Sequence, residues 1–157
     1  MVRPMAPSDK PAVMDLIKAT DMFTSAEIDV AEELIDAFLT KPGQKDYHAV
    51  VVETQAGVVG GYMTWGPTAL AEGTYDLYWM AVSPMQQGRG LGKELVRWLE
   101  RTVADLDGRL IIIETAGQPK YHPTRQFYLG MGYQEVARVP DFYRPGDDRI
   151  IYTKHLR

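Results

Sequence analysis

The sequence predicts an α/β domain built on one mixed sheet, with its elements in the order β-α-α-β-β-β-α-β-α-β-β. Apolar residues recur at helical spacing in four segments, around 13–17, 28–38, 91–103 and 123–131. Runs rich in β-branched and aromatic residues stand between and after them, with Thr74–Val82 and Leu110–Thr115 the clearest. Where one such run meets the third helix, Gly88, Gly90 and Gly92 fall at every second position.

Val2–Met5 reads as a short first strand. Ser8 and Asp9 ahead of Pro11 make a good helix start, and Val13, Leu16 and Ile17 give that helix its apolar stripe. Ile28, Ala31, Leu34, Ile35 and Phe38 form a second helix, which Pro42-Gly43 ends. Ala49–Thr54 and Val58–Trp65 follow as strands joined by a short turn, and Thr74–Val82 is the third long strand. Leu91, Leu95, Trp98, Leu99, Thr102 and Val103 then mark a helix, and Leu110–Thr115 has the compact apolar character of a buried strand. Pro123–Met131 is a helix closed by Gly132, with Tyr133–Val139 extended beyond it. Ile150–His155 is the last strand, across a turn built on Pro145-Gly146-Asp147. No repeat, low-complexity segment or linker divides the chain, so residues 1–157 read as a single domain.

Composition narrows the chemistry. With no cysteine, disulfides, thiolate zinc sites and a cysteine nucleophile are excluded. His48, His122 and His155 are scattered without ligand partners, so no metal is expected. A net charge of −4 with no basic stripe argues against nucleic acid as a partner. Mild acidity suits a cationic substrate without requiring one. No apolar stretch approaches membrane-spanning length, and the first residues lack a charged region followed by an apolar run, so a cytoplasmic protein without a membrane partner is expected.

The spaced glycines carry the most information. Glycine lets backbone N–H groups converge without a Cβ in the way, and a helix start adds unpaired N–H groups and the positive end of its dipole. A phosphate-bearing cofactor at 87–92 follows. A P-loop is ruled out, because Gln87 stands where its first glycine belongs and Glu94 where Ser or Thr should follow the lysine. The dinucleotide fingerprint fails too, since Gly92 comes one residue early.

What does match is Gln87-x-x-Gly90-x-Gly92 preceded by Val82-Ser83-Pro84, which resembles the coenzyme A loop of the GNAT family of N-acetyltransferases. A second motif, Phe127-Tyr128-Leu129-Gly130-Met131-Gly132-Tyr133, is similar to that family's Phe-Tyr-x-x-x-Gly-Phe/Tyr. The resemblance covers essentially the whole chain. It implies a mostly antiparallel central sheet with helices on both faces, and acetyl-CoA as acyl donor. Backbone amides of Gln87, Gly88, Arg89, Gly90, Leu91 and Gly92 would grip the pyrophosphate, with Arg89 and Lys93 adding charge. Met80, Ala81 and Val82 would pair their backbone with the pantetheine arm between two splayed strands, the second being Leu110–Thr115. An N–H near Val82 would polarise the thioester carbonyl. Tyr121 departs from the pattern, because it stands where the family often has a cofactor-touching Asn.

The chemistry asks for two further groups. An alkyl amine with a pKa of about 10 must lose a proton before attacking a thioester, and a carboxylate is the usual acceptor. Asp76 is one candidate, six residues before Val82 where some family members carry a catalytic Glu, and Glu114 at the end of Leu110–Thr115 is the other. The leaving thiolate needs a donor, and the resemblance points to Tyr128. Phe127 reads as core. Trp65 ends a strand on the expected acceptor side and is a candidate pocket wall. In protein N-terminal acetyltransferases, tyrosines in a loop like Asp141–Asp148 close over the acceptor peptide, which makes Tyr143 a substrate-side candidate. Glu32-Glu33 and Asp147-Asp148 read as solvated acids. The leading function is transfer of an acetyl group to a primary amine by direct attack in a ternary complex. The acceptor is a small amine, an amino acid or a peptide N-terminus. A longer acyl group and a non-catalytic acetyl-CoA-binding module are the alternatives. Homodimers are common in the family, and the residues neither force nor forbid one.

Overall fold

A computed structural model describes residues 1–157. Seven strands form one sheet: β1 (Val2–Pro4), β2 (His48–Glu53), β3 (Val59–Pro67), β4 (Thr74–Val82), β5 (Leu110–Ala116), β6 (Gln134–Arg144) and β7 (Asp147–His155). Their spatial order is β1-β2-β3-β4-β5-β7-β6. Every neighbouring pair is antiparallel except β4 and β5. Four helices complete the chain: α1 (Lys10–Ala19), α2 (Ser25–Thr40), α3 (Leu91–Asp105) and α4 (His122–Gly130). The sequence-derived order of elements is the observed one. No helix is long and apolar enough to cross a membrane.

Each helix is where its sequence pattern puts it. Thr24 caps α2 by accepting from the Glu27 N–H at 3.2 Å while the Glu27 carboxylate accepts from the Thr24 N–H at 3.1 Å, a reciprocal capping box. α3 turns Leu91, Leu95, Val96, Leu99 and Val103 inward, every one of them buried. They pack with Ile111, Ile113, Ile150 and the rings of Tyr128, Tyr133 and Tyr152 into the larger core. α1 and α2 form the smaller core on the opposite face, with Val13, Ile17 and Ile35 against Ala49, Val51 and Tyr62. That second core contains no residue of β5, β6 or β7, so α1 and α2 bury no apolar core against this half of the sheet.

The hairpin β6–β7 corrects two expectations. The predicted loop 141–148 is mostly strand, since β6 runs on to Arg144 and only Pro145-Gly146 turn. Val139 pairs with Arg149 and Arg144 with Asp147, so Pro140–Tyr143 bulge outward opposite Asp148 alone. Asp141 takes a left-handed backbone (φ 57°) at the bulge. Its carboxylate accepts from the Gly146 N–H at 2.7 Å, and its own N–H donates to Asp148 at 3.1 Å. Asp147 is buried rather than solvated, held by Arg144 at 2.6 Å.

A charged cluster ties the first strand down. Asp9, almost fully buried, accepts from Arg3 at 2.8 and 3.0 Å and from the Ala6 N–H at 2.7 Å, while Arg3 also reaches Glu53 at 2.8 Å. The Arg3 guanidinium holds the Asp9 carboxyl below its ordinary range, against the opposing effect of burial. A carboxylate with a depressed folded pKa stabilises fully above its unfolded value of about 3.9 and loses that contribution as pH falls through the folded value. Asp9→Asn is therefore expected to melt lower than the parent at pH 7, with the gap closing below about pH 4. Thermal unfolding by circular dichroism at pH 7, 5 and 3 checks this, and a gap independent of pH overturns it.

Candidate active site

The site begins with a flaw in the sheet. β3 and β4 slip register where Thr64 pairs with Trp79 but Trp65 pairs with Leu77, leaving Tyr78 as the extra residue. Such a bulge bends its strand and ends regular pairing. On its other side β4 pairs with β5 only from Thr74–Leu77 to Leu110–Ile113. Beyond that seam the two strands part, and the Tyr78–Val82 edge facing β5 carries no strand partner. Free backbone donors and acceptors in the middle of a sheet are costly unless something else pairs with them.

At the far end of this edge lies a cavity of about 420 Å³. Val82, Leu91 and Phe127 supply its apolar wall; Gln86, Gln87, Gly88, Gly90, Gly92 and Lys93 supply the rest. Gly88 and Gly90 have φ of +80° and +79°, a conformation other residues adopt only with strain. Gly90 is also the residue from which α3 starts, and the first intrahelical bond is Glu94 N–H to Gly90 at 3.0 Å. The amides of Leu91, Gly92 and Lys93 are thus left for an outside acceptor. A Cβ at Gly88 or Gly90 meets nothing within 4 Å, so these glycines serve backbone shape and leave the space above it open. Loop, helix start and Lys93 fit an anionic group such as a pyrophosphate. Arg89 is exposed and does not line the cavity. Met80 and Ala81 pack toward opposite cores, so their contribution to the groove is backbone.

Phe127, read from sequence as plain core, lines this cavity. Its neighbour Tyr128 is buried within the aromatic group of Phe127, Tyr133 and Tyr152, with ring centroids 5.4, 6.1 and 6.4 Å away. Burial pushes its phenol up, so it stays protonated across the neutral range.

Beyond the other end of the open edge, at the paired seam of β4 and β5, stand the carboxylates. Asp76 is half-buried and accepts from the Thr68 hydroxyl at 2.7 Å. Burial pushes its carboxyl up, with Thr68 and the charge of Arg149 pulling the other way. Glu114 sits within β5 and forms an ion pair with Arg149 of β7. Arg149 also lies 5.0 Å from the Phe142 ring centre. Tyr143 belongs to the same group: burial, and then the nearby Glu114 charge, push its phenol up. The structure thus brings Asp76, Glu114 and Tyr143 to one region and adds Thr68, Phe142 and Arg149. Only the register of β5 against β7 reveals Arg149, and no local motif marks it.

Trp65 is the correction. It is 5% exposed, stacked on His48 at 4.5 Å and edge-on to Trp98 at 6.0 Å, inside the α3 core. It alternates with Met63 along β3 and so turns into the α3 core, where with His48 and Trp98 it lines a small cavity of about 110 Å³ separate from the carboxylates. Tyr121 explains its departure from the family pattern in a different way. Its hydroxyl donates to the Met22 carbonyl at 2.9 Å and so ties the start of α4 to the α1–α2 loop. Phe23 of that loop packs edge-on to Trp79 at 5.2 Å.

Against known proteins, the family model described as "Acetyltransferase (GNAT) domain" matches residues 45–135, the stretch from β2 through α4 that holds the glycine loop and Tyr128. The chain belongs to the GNAT acetyltransferase family. A crystal structure assigned to the GNAT family, from Desulfovibrio desulfuricans, is 41% identical, covers 100% of this chain and 99% of its own, and superimposes with a TM-score of 0.93. An uncharacterized N-acetyltransferase of Methanocaldococcus jannaschii is 25% identical over 84% of this chain and 88% of its own length. An aminoglycoside 6'-N-acetyltransferase, solved in complex with coenzyme A, shares the fold at a TM-score of 0.77 and 19% identity, covering 100% of this chain and 97% of its own. This GNAT protein is an N-acetyltransferase.

Proposed function

We propose that this GNAT enzyme takes acetyl-CoA as donor and transfers its acetyl group to a primary amine by direct attack in a ternary complex. One observation carries the reading: the unpaired β4 edge runs from the glycine cradle at Val82 back to Tyr78, two residues short of Asp76. At ~3.3 Å per residue, Tyr78 to Val82 spans about 13 Å, a length an extended pantetheine arm can follow by backbone pairing.

Asp76 is the base and Tyr128 the acid in this scheme. Asp76 is better suited than Glu114, because Glu114 is committed to Arg149 while Asp76 holds only a neutral hydroxyl. Burial makes Asp76 a stronger base and narrows the gap to an amine of pKa about 10. As the amine nitrogen bonds to the acyl carbon and the carbon–sulfur bond breaks, Asp76 receives the amine proton. Tyr128, protonated throughout, donates a hydrogen bond to the departing sulfur. A free backbone N–H of the Tyr78–Val82 edge, toward its Tyr78 end, steadies the negative charge on the carbonyl oxygen.

A thiol-release assay with acetyl-CoA, propionyl-CoA and succinyl-CoA over a panel of polyamines, amino acids and short peptides tests this. Fastest release with acetyl-CoA and at least one amine is expected. A longer acyl donor turning over faster overturns the donor assignment, and no amine-dependent release from any of them overturns the reading.

A further inference from the structure

The donor half of the site does not explain Arg149. Glu114 pairs with Ile151 and Ala116 with Arg149, so Glu114 and Arg149 are diagonal neighbours on one face of β5 and β7. Asp76 pairs with Ile112, two residues from Glu114, and so reaches that face from β4. Three charged side chains therefore stand on three successive strands, two of which, β5 and β7, contribute nothing to the α1–α2 core. The guanidinium is held by Glu114 at one edge and by the Phe142 ring, yet the Arg149 side chain remains 35% exposed. Other carboxylates nearby are already committed: Asp147 to Arg144, and Asp148 to Arg138 at 3.4 Å.

Building on the acetyl-transfer reading above, we propose that the acceptor is an amine bearing its own carboxylate, a free amino acid, whose carboxylate binds Arg149 while its amine is presented to Asp76. Two carboxylates and one guanidinium leave the face with a single negative charge to spare. A polyamine meets Arg149 with every additional ammonium and finds no second free carboxylate. A zwitterion matches the face at both ends: its carboxylate takes the N–H groups Arg149 still offers, and its ammonium is drawn to Asp76. The planar fork of arginine suits a carboxylate in a way that a lone lysine charge does not. Glu114 then acts as a positioning residue, fixing the angle at which Arg149 meets the acceptor.

The test uses matched acceptors with acetyl-CoA: each amino acid, its amide, and the amine lacking the carboxyl group. The best amino acid is expected to exceed its amide and its decarboxylated amine at least ten-fold in kcat/KM, the size of a charged hydrogen-bond pair. Arg149→Gln should abolish that preference through KM with kcat changed far less, and Arg149→Lys should restore part of it. Equal use of the amide or the simple amine, or a preference that survives Arg149→Gln, overturns the proposal and leaves acetyl transfer standing. Turnover of peptides alone does the same. Failure of the parent reading looks different: no acceptor of any charge releases thiol, and calorimetry finds no acetyl-CoA binding.

Discussion

Tyr128→Phe is expected to lower kcat by roughly ten-fold or more while coenzyme A affinity changes less than about two-fold. The substitution removes one hydroxyl from a ring whose packing is otherwise supplied by Phe127, Tyr133 and Tyr152, so the core and the adjoining cavity wall keep their shape. What is lost is the donor for a sulfur leaving with a thiol pKa of about 8.5. Burial pushes the Tyr128 phenol up, which rules out its own ionisation as the source of any limb in the pH profile near neutrality. Steady-state kinetics beside calorimetry of coenzyme A binding separates the two effects. Unchanged turnover with a good acceptor removes Tyr128 from the chemistry.

Asp76→Asn carries the larger effect, a fall in kcat/KM of about 10²-fold or more, in the range of a positioned general base. Its diagnostic is the acidic limb of the pH profile. The base must be ionised, so the rate falls as pH drops through its pKa. Because burial raises that pKa, the fall begins at a higher pH than for a solvent-exposed aspartate, whose value is near ~3.9. In Asp76→Asn the limb disappears. In Glu114→Gln the limb stays, since that carboxylate is occupied with Arg149. A limb lost in Glu114→Gln and kept in Asp76→Asn reverses the assignment.

Much of this was legible in the residues, for reasons that also explain what was not. The glycine loop could be read because backbone shape and helix start are local: Gly88, Gly90 and Leu91 specify them without help from the rest of the chain. Element order followed from periodicity, and α3 shows why, with all five of its inward positions at helical spacing. Trp65 was placed at a strand end, but β3 runs on to Pro67, and alternation with Met63 turns the indole into the α3 core. Arg149 escaped notice because its partner Glu114 comes from a strand earlier in the chain and meets it only through sheet register. Phe142 and Tyr143 could be read as adjacent rings near the last turn. Their place in an outward bulge of a strand, rather than a loop, depended on Asp141 taking a left-handed backbone, which no pattern of hydropathy announces.

The splay between β4 and β5 also bears on self-association. An unpaired strand edge is an invitation to another chain, and proteins usually blunt theirs. The outer edges here are β1, only three residues long, and β6, broken by Pro140 and its bulge and studded with Glu135, Arg138 and Arg144. The Tyr78–Val82 edge has no such protection in its own sequence. Its safeguard is location: it lies at the centre of the seven-stranded order, inside a cleft that closes at the Leu77–Ile113 pair. A second polypeptide strand entering there must bring side chains into a gap that narrows to ordinary strand spacing, whereas a slim, unbranched arm need not. The same geometry that leaves backbone groups free for a ligand therefore keeps them from a neighbouring copy.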